Sequence, residues 1–206
     1  MTISMNNKQK SLHERYAHDA MVKNIFAVWE VAKERQLDKT DWYLDAFHEC
    51  MRLAGEFDLP VEKIAWIVAT LSPHLSWHSN LQSAISFLSS WRGIPYHYRN
   101  CAYGKQTYKC ELYMLGELSG LPTGRKVHAF YHNLLLDYSH VTIDRHAWRI
   151  ALLGTRNLDS DSGDGEFGDV DFRVCVRAYK TVATQLEISP ALLQSIVWQV
   201  VARENY

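Results

Sequence analysis

Apolar residues recur at helical spacing along almost the whole chain, and no stretch alternates apolar and polar residues as a half-buried strand would. Between residues 12 and 36, Met21, Ile25, Val28, Val31 and Ala32 follow the i, i+3, i+4, i+7 template. Residues 40–56 repeat it with Trp42, Leu44, Phe47, Cys50, Met51 and Ala54. Val61–Leu71 is apolar almost all round, which predicts a buried helix opened by Pro60. Ser72-Pro73 ends it, because the residue before a proline disfavours the helical well. Ser76 is expected to cap Trp77–Trp91. Further helices are expected at Lys105–Leu118, Arg125–Leu136, Ile143–Leu153, Val170–Leu186 and Pro190–Arg203, the last capped by Ser189. Gly93–Gly104 and the acidic, glycine-rich Arg156–Gly168 read as loops. The expectation is an all-α chain.

Composition narrows the classes. With 206 residues, 47% hydrophobic and 22% charged, the chain can bury one large core or two small lobes. No apolar run reaches the roughly 18 residues of a membrane span. The N-terminal segment lacks the apolar core of a signal peptide, so cytoplasmic residence is expected. A net charge of −1 argues mildly against nucleic-acid binding, because phosphate contacts need Lys and Arg, but the charge is unevenly spread. Lys105, Lys109, Arg125, Lys126, Arg145 and Arg149 stand against Glu111, Glu117, Asp137 and Asp144, while Asp159–Asp171 holds six acids and no base. Cys50, Cys101, Cys110 and Cys175 form no C-x2-C pair, which argues for reduced structural thiols over a zinc or iron–sulfur site.

The chemistry concentrates in Leu121–Gly154. Gly120 and Gly124 flank Leu-Pro-Thr between two helices, where backbone amides beside a helix start suit a phosphate. Lys126 follows in the first turn of the next helix. Asp144 opens another helix 18 residues on (144 − 126), after a short extended stretch. Taken singly, Lys126 reads as a solvated first-turn lysine and Asp144 as a carboxylate favoured at a helix N-terminus.

Together these residues resemble the signature of the helix-hairpin-helix (HhH-GPD) DNA glycosylase superfamily. Leu121-Pro122 and Gly124-Arg125-Lys126 match its hairpin, with one residue fewer in the turn, and Ile143-Asp144-Arg145-His146 with Arg149 matches its aspartate block. Ile64–Ala84 resembles the family's apolar helix and the helix after it, with His74 in place of a glutamine that wedges into the DNA stack. The resemblance covers about residues 60–155 and implies a short, cluster-free member of the phage- or plasmid-related kind. It implies two helical lobes, about 60–140 and 1–59 with 141–206, a helix-hairpin-helix element and an active cleft between the lobes.

The resemblance further implies an activity. Lys126 would be the nucleophile of a glycosylase with strand-cleaving lyase activity. Asp144 would face the positive charge that develops on the sugar as the N-glycosidic bond breaks. His74, Gly120, Thr123, Gly124, Arg125 and Arg145 would contact double-stranded DNA, and Trp77, Tyr131, His146 and Trp148 would line a pocket for a flipped base. A monomer with no cofactor, no bound metal and no membrane partner is implied. Two alternatives stand beside this: a repurposed or non-catalytic DNA-binding or base-modification protein on the same fold, and a metal-dependent enzyme using His128, His132, Asp144 and His146.

Overall fold

A computed structural model describes residues 7–94, 102, 104–152 and 169–202. Among them are α-helices and one short 3₁₀ turn, Leu37–Lys39, and no strand. The fold is all-α. The chain divides into two compact units: residues 1–42 with 138–206, and residues 43–137. The division falls at residue 43, so the helix over 42–57 goes almost whole with the second unit, where the sequence placed residues up to 59 in the other lobe.

The first unit contains α1 (Asn7–Glu34) and, later in the chain, three more helices. In α1 Met21, Ile25, Val28 and Ala32 are buried on one face, as their spacing predicts, together with Trp29, while Val31 is only partly buried. They pack with Ala147, Trp148, Ile150 and Ala151 of the helix Arg145–Ala151, with Val174, Cys175, Ala178, Tyr179 and Val182 of Asp169–Gln185, and with Leu193, Ile196, Val197 and Val200 of Pro190–Ala202. Ser189 caps the last of these helices, its hydroxyl accepting from the Leu192 N–H at 3.3 Å. The Arg156–Gly168 segment and Gly154 lie outside the described residues.

The second unit contains α2 (Trp42–Phe57, from Tyr43 on), α3 (Val61–Leu71), α4 (Trp77–Trp91), α5 (Gly104–Leu115) and α6 (Arg125–Leu134). Every residue of α3 from Ile64 to Leu71 is buried, and α3 packs against α4, α5 and α6. A helix apolar all round takes the centre because it has no face to give to water. Pro60 starts it, and the Ser76 hydroxyl caps α4 by accepting from the Ser79 N–H. In α2 the buried set is Tyr43, Ala46, Cys50, Leu53 and Phe57, whereas Leu44 and Met51 are exposed. The expected face is thus rotated: only Cys50 of the six residues counted from sequence is fully buried.

The helices in chain order after α6 are α7 (Arg145–Ala151), α8 (Asp169–Gln185) and α9 (Pro190–Ala202). Several helix ends depart from expectation: α7 starts at Arg145 and not Ile143, because Asp144 caps it, and two others close in left-handed turns. α5 stops at Leu115, not Leu118, because Gly116 adopts φ +77. The Glu117 N–H then bonds the Leu112 carbonyl at 2.9 Å and the Gly116 N–H bonds the Tyr113 carbonyl at 3.2 Å, the paired closure of a left-handed helix cap. α6 stops at Leu134 in the same way, with Leu136 at φ +62.

Candidate functional site

The second unit positions the lysine. The connection between α5 and α6 runs from Gly116 to Gly124, longer than the short turn expected at Ser119–Gly124, because α5 closes early. Trp66 of α3 anchors it, donating its indole N–H to the Gly120 carbonyl at 3.1 Å. The same indole stacks on Tyr113, with centroids 4.0 Å apart and planes within 5°. Lys63 lies 5.9 Å from the centre of the Tyr113 ring. Thr123 is exposed, and its hydroxyl accepts from Lys109 Nζ at 3.4 Å. Gly124 stands at φ +101, ψ 129, a conformation closed to other residues, and starts α6 without a side-chain cap. Arg125 is exposed and Lys126 half-buried in the first turn.

Behind this turn Trp66, Thr70, Gln106, Lys109, Leu121 and Thr123 line a small cavity. The Thr70 hydroxyl is buried and meets no hydrogen-bond partner among the described residues. Leaving such a group unpaired costs about 1–3 kcal/mol. Tyr131, on α6, is half-buried. Desolvation, then the neighbouring Tyr113 and Glu62, hold its phenol above the ordinary tyrosine range. Trp77 packs edge-on against Phe130, centroids 6.5 Å apart. His74 is exposed at φ +63 in the turn closed by the Leu75 N–H and Ser72 carbonyl at 3.2 Å. The His128 and His132 rings lie 4.7 Å apart on α6, and His132 Nδ1 is 3.1 Å from the Asp137 carboxylate.

The first unit positions the aspartate. Asp144 is the N-cap of α7 and is half-buried. Its Oδ1 accepts from the Ala147 N–H at 2.8 Å, and its Oδ2 accepts from the Trp198 indole N–H at 2.9 Å. Both oxygens are therefore fixed by donors on two different helices. Trp198 also meets the His146 ring edge-on at 6.0 Å and the Trp42 ring at 6.0 Å. Below α7, the fully buried Tyr179 donates to the Ala147 carbonyl at 2.9 Å, and burial pushes its phenol well above the ordinary range. Arg145 is exposed.

Trp148 corrects the pocket expected from sequence. It is 4% exposed and belongs to the apolar core of the first unit, so its ring is committed to packing. Among the expected site residues, Gly120, Thr123, Gly124, Arg125 and Lys126 share one turn and helix start, and Asp144 and His146 share the Trp198 indole. Lys126 and Asp144 stand on different units, each with its own neighbours. The metal alternative is divided in the same way, with His128 and His132 on one unit and Asp144 and His146 on the other.

Sequence reasoning missed Trp66 and Trp198, which hold the turn and the aspartate. Each sits in an apolar helix, and each partner is 54 positions away in the chain. A buried indole N–H needs an acceptor, so the sequence signals that one exists without saying which.

Residues 5–205 match the model of a family of unknown function (DUF7178), and the chain belongs to that family. No curated protein and no solved structure matches it. Among the described residues, no helix is long and apolar enough to cross a membrane.

Proposed function

We propose that the protein is a DNA glycosylase with associated strand-cleaving activity, in which Asp144 and Lys126 carry the chemistry. The observation that carries the reading is the Asp144 carboxylate, held by one donor on each oxygen at the start of α7. A carboxylate so fixed needs no reorganisation when positive charge develops on a sugar, and each oxygen keeps a lone pair in reserve. Lys126, in the first turn of a helix opened by glycine, supplies the neutral amine that attacks C1′ as the base leaves with the bonding pair; the nitrogen then gives up a proton and the C1′–O4′ bond opens to a Schiff base and a 4′-hydroxyl. The exposed Arg125, Thr123 and Gly124 around it, with Arg145 on the other unit, are suited to phosphate contacts, and His74 stands exposed at a turn as a wedge would. Tyr131, Trp77 and His146 remain the aromatic candidates for a flipped base.

The test is incubation with duplexes carrying a panel of damaged and modified bases, with borohydride added. A covalent protein–DNA adduct is expected from the wild type and none from Lys126→Ala. Asp144→Asn should slow base release on the order of a hundredfold. An adduct that survives Lys126→Ala removes the lysine as nucleophile.

One observation favours a second reading. The two hydrogen bonds of Asp144 are also what a purely structural cap would make, as in a DNA-binding protein that keeps the scaffold without the reaction. Duplex binding with no base release from any member of the panel selects that reading.

A further inference from the structure

Arg173, Arg177 and Lys180 stand at spacings of four and three along α8, so one face of the helix carries all three. Each is exposed, and none forms an ion pair with a described carboxylate. They border a shallow, open concavity with Phe172 and Val176 as apolar wall and Thr181 at its edge. No described carboxylate borders it. From α1, His18 Nε2 meets the Thr181 hydroxyl at 3.1 Å while His18 Nδ1 meets the Asp19 carboxylate, also at 3.1 Å. Like charges at this spacing weaken an isolated helix, so the row does nothing for α8 itself.

We infer that this face of α8 docks on the sugar–phosphate backbone of duplex DNA, a contact surface separate from the Lys126 turn. The inference rests on the reading of DNA as the partner. Seven residues of helix span about 10 Å, and long side chains extend that reach, so the row can meet two or three successive phosphates of one strand. Two of the cations are arginines, whose planar fork meets phosphate oxygens in pairs. Phosphate pairing of this kind holds and orients the protein without reading sequence. The role is docking: none of the three groups is placed at the reacting atoms.

The test is fluorescence anisotropy on a labelled, unmodified duplex, with affinity followed between 50 and 200 mM salt. The triple variant Arg173→Gln, Arg177→Gln, Lys180→Gln is set against a control of equal charge, Lys23→Gln, Lys33→Gln, Lys39→Gln, whose cations are also exposed. All six side chains lie at the surface, and circular dichroism checks that each variant keeps its helix content. The wild-type slope of log affinity against log salt should fall by about 0.9 for each phosphate that the variant leaves unneutralised, up to about 2.7 for three, with a much smaller change in the control. An unchanged slope in the α8 variant, or an equal fall in the control, overturns the inference and leaves the DNA reading standing. A wild type that binds no duplex overturns both. Tight binding by the α8 row with no base release from the modified panel removes the glycosylase and keeps this surface.

Discussion

Asp144 holds two donors with two oxygens, and that arithmetic separates its structural from its chemical role. Asparagine is as good an N-cap as aspartate, but it has one acceptor oxygen, so it can serve the Ala147 N–H or the Trp198 indole and not both. Asp144→Asn should therefore cost about 1.5–3 kcal/mol of stability, one hydrogen bond to a carboxylate. Asp144→Ala loses both bonds, the cap among them, and should cost about 3–4 kcal/mol. Urea unfolding of the three proteins measures the two steps. If Asp144→Asn is as stable as wild type yet releases no base, the carboxylate charge serves chemistry alone. If the two variants are equally unstable, the indole bond and not the cap is the dominant interaction.

At the scale of the element, the left-handed device that closes several of the helices has glycine in α4 and α5 and a residue with a side chain in α6 and α8. α5 closes with Gly116 in the left-handed region, where glycine carries no Cβ penalty. α6 uses Leu136 and α8 uses Glu187, at φ +62 and +56. Behind Glu187, the Ile188 N–H bonds the Ala183 carbonyl at 3.0 Å and the Glu187 N–H bonds the Thr184 carbonyl at 3.3 Å. A non-glycine residue in this conformation costs roughly 1–2 kcal/mol, against which glycine loses about 0.4–1 kcal/mol of freedom on folding. Glu187 is exposed, so no packing goes with its side chain. Glu187→Gly should stabilise the protein by about 0.5–1 kcal/mol, seen as a rise in the thermal midpoint. A fall would mean that the carboxylate makes an interaction worth more than the strain.

Over the whole molecule, buried weak acids tie stability to alkaline pH. Burial, then the charge of Glu49, pushes the Cys50 thiol from its ordinary 9.0 up to about 12. Burial raises Cys110, Cys175 and Tyr179 in the same direction. The folded state keeps these protons while the unfolded chain gives them up, so the stability they contribute is complete below about pH 9 and is lost as pH rises toward 12. The urea midpoint should hold steady from pH 7 to 8.5 and fall from pH 9 upward. The same three thiols should resist a thiol reagent at pH 8 until the protein unfolds, since the thiolate is the reactive form. A flat midpoint to pH 11 would place these groups in water.

The local structure is written in neighbouring residues. Apolar periodicity marks the helices, Pro60, Ser76 and Ser189 mark their starts, and a helix apolar on every side, Val61–Leu71, had to be central. Chain-local physics settles such features. The turn at Gly124 and the cap at Asp144 were legible for the same reason, since a turn glycine and a helix cap are local devices. Long-range packing settled the rest. In α2, apolar residues lie on both sides of the helix, so spacing allowed either face; packing buried Tyr43, Ala46, Leu53 and Phe57 and left Leu44 and Met51 in water. Trp148 went to the core and not to a pocket because α1, α8 and α9 converge on it. The partners of Gly120 and Asp144 are indoles 54 residues away, and no local pattern encodes which distant donor a carboxylate or carbonyl will meet; only the assembled packing brings the two together.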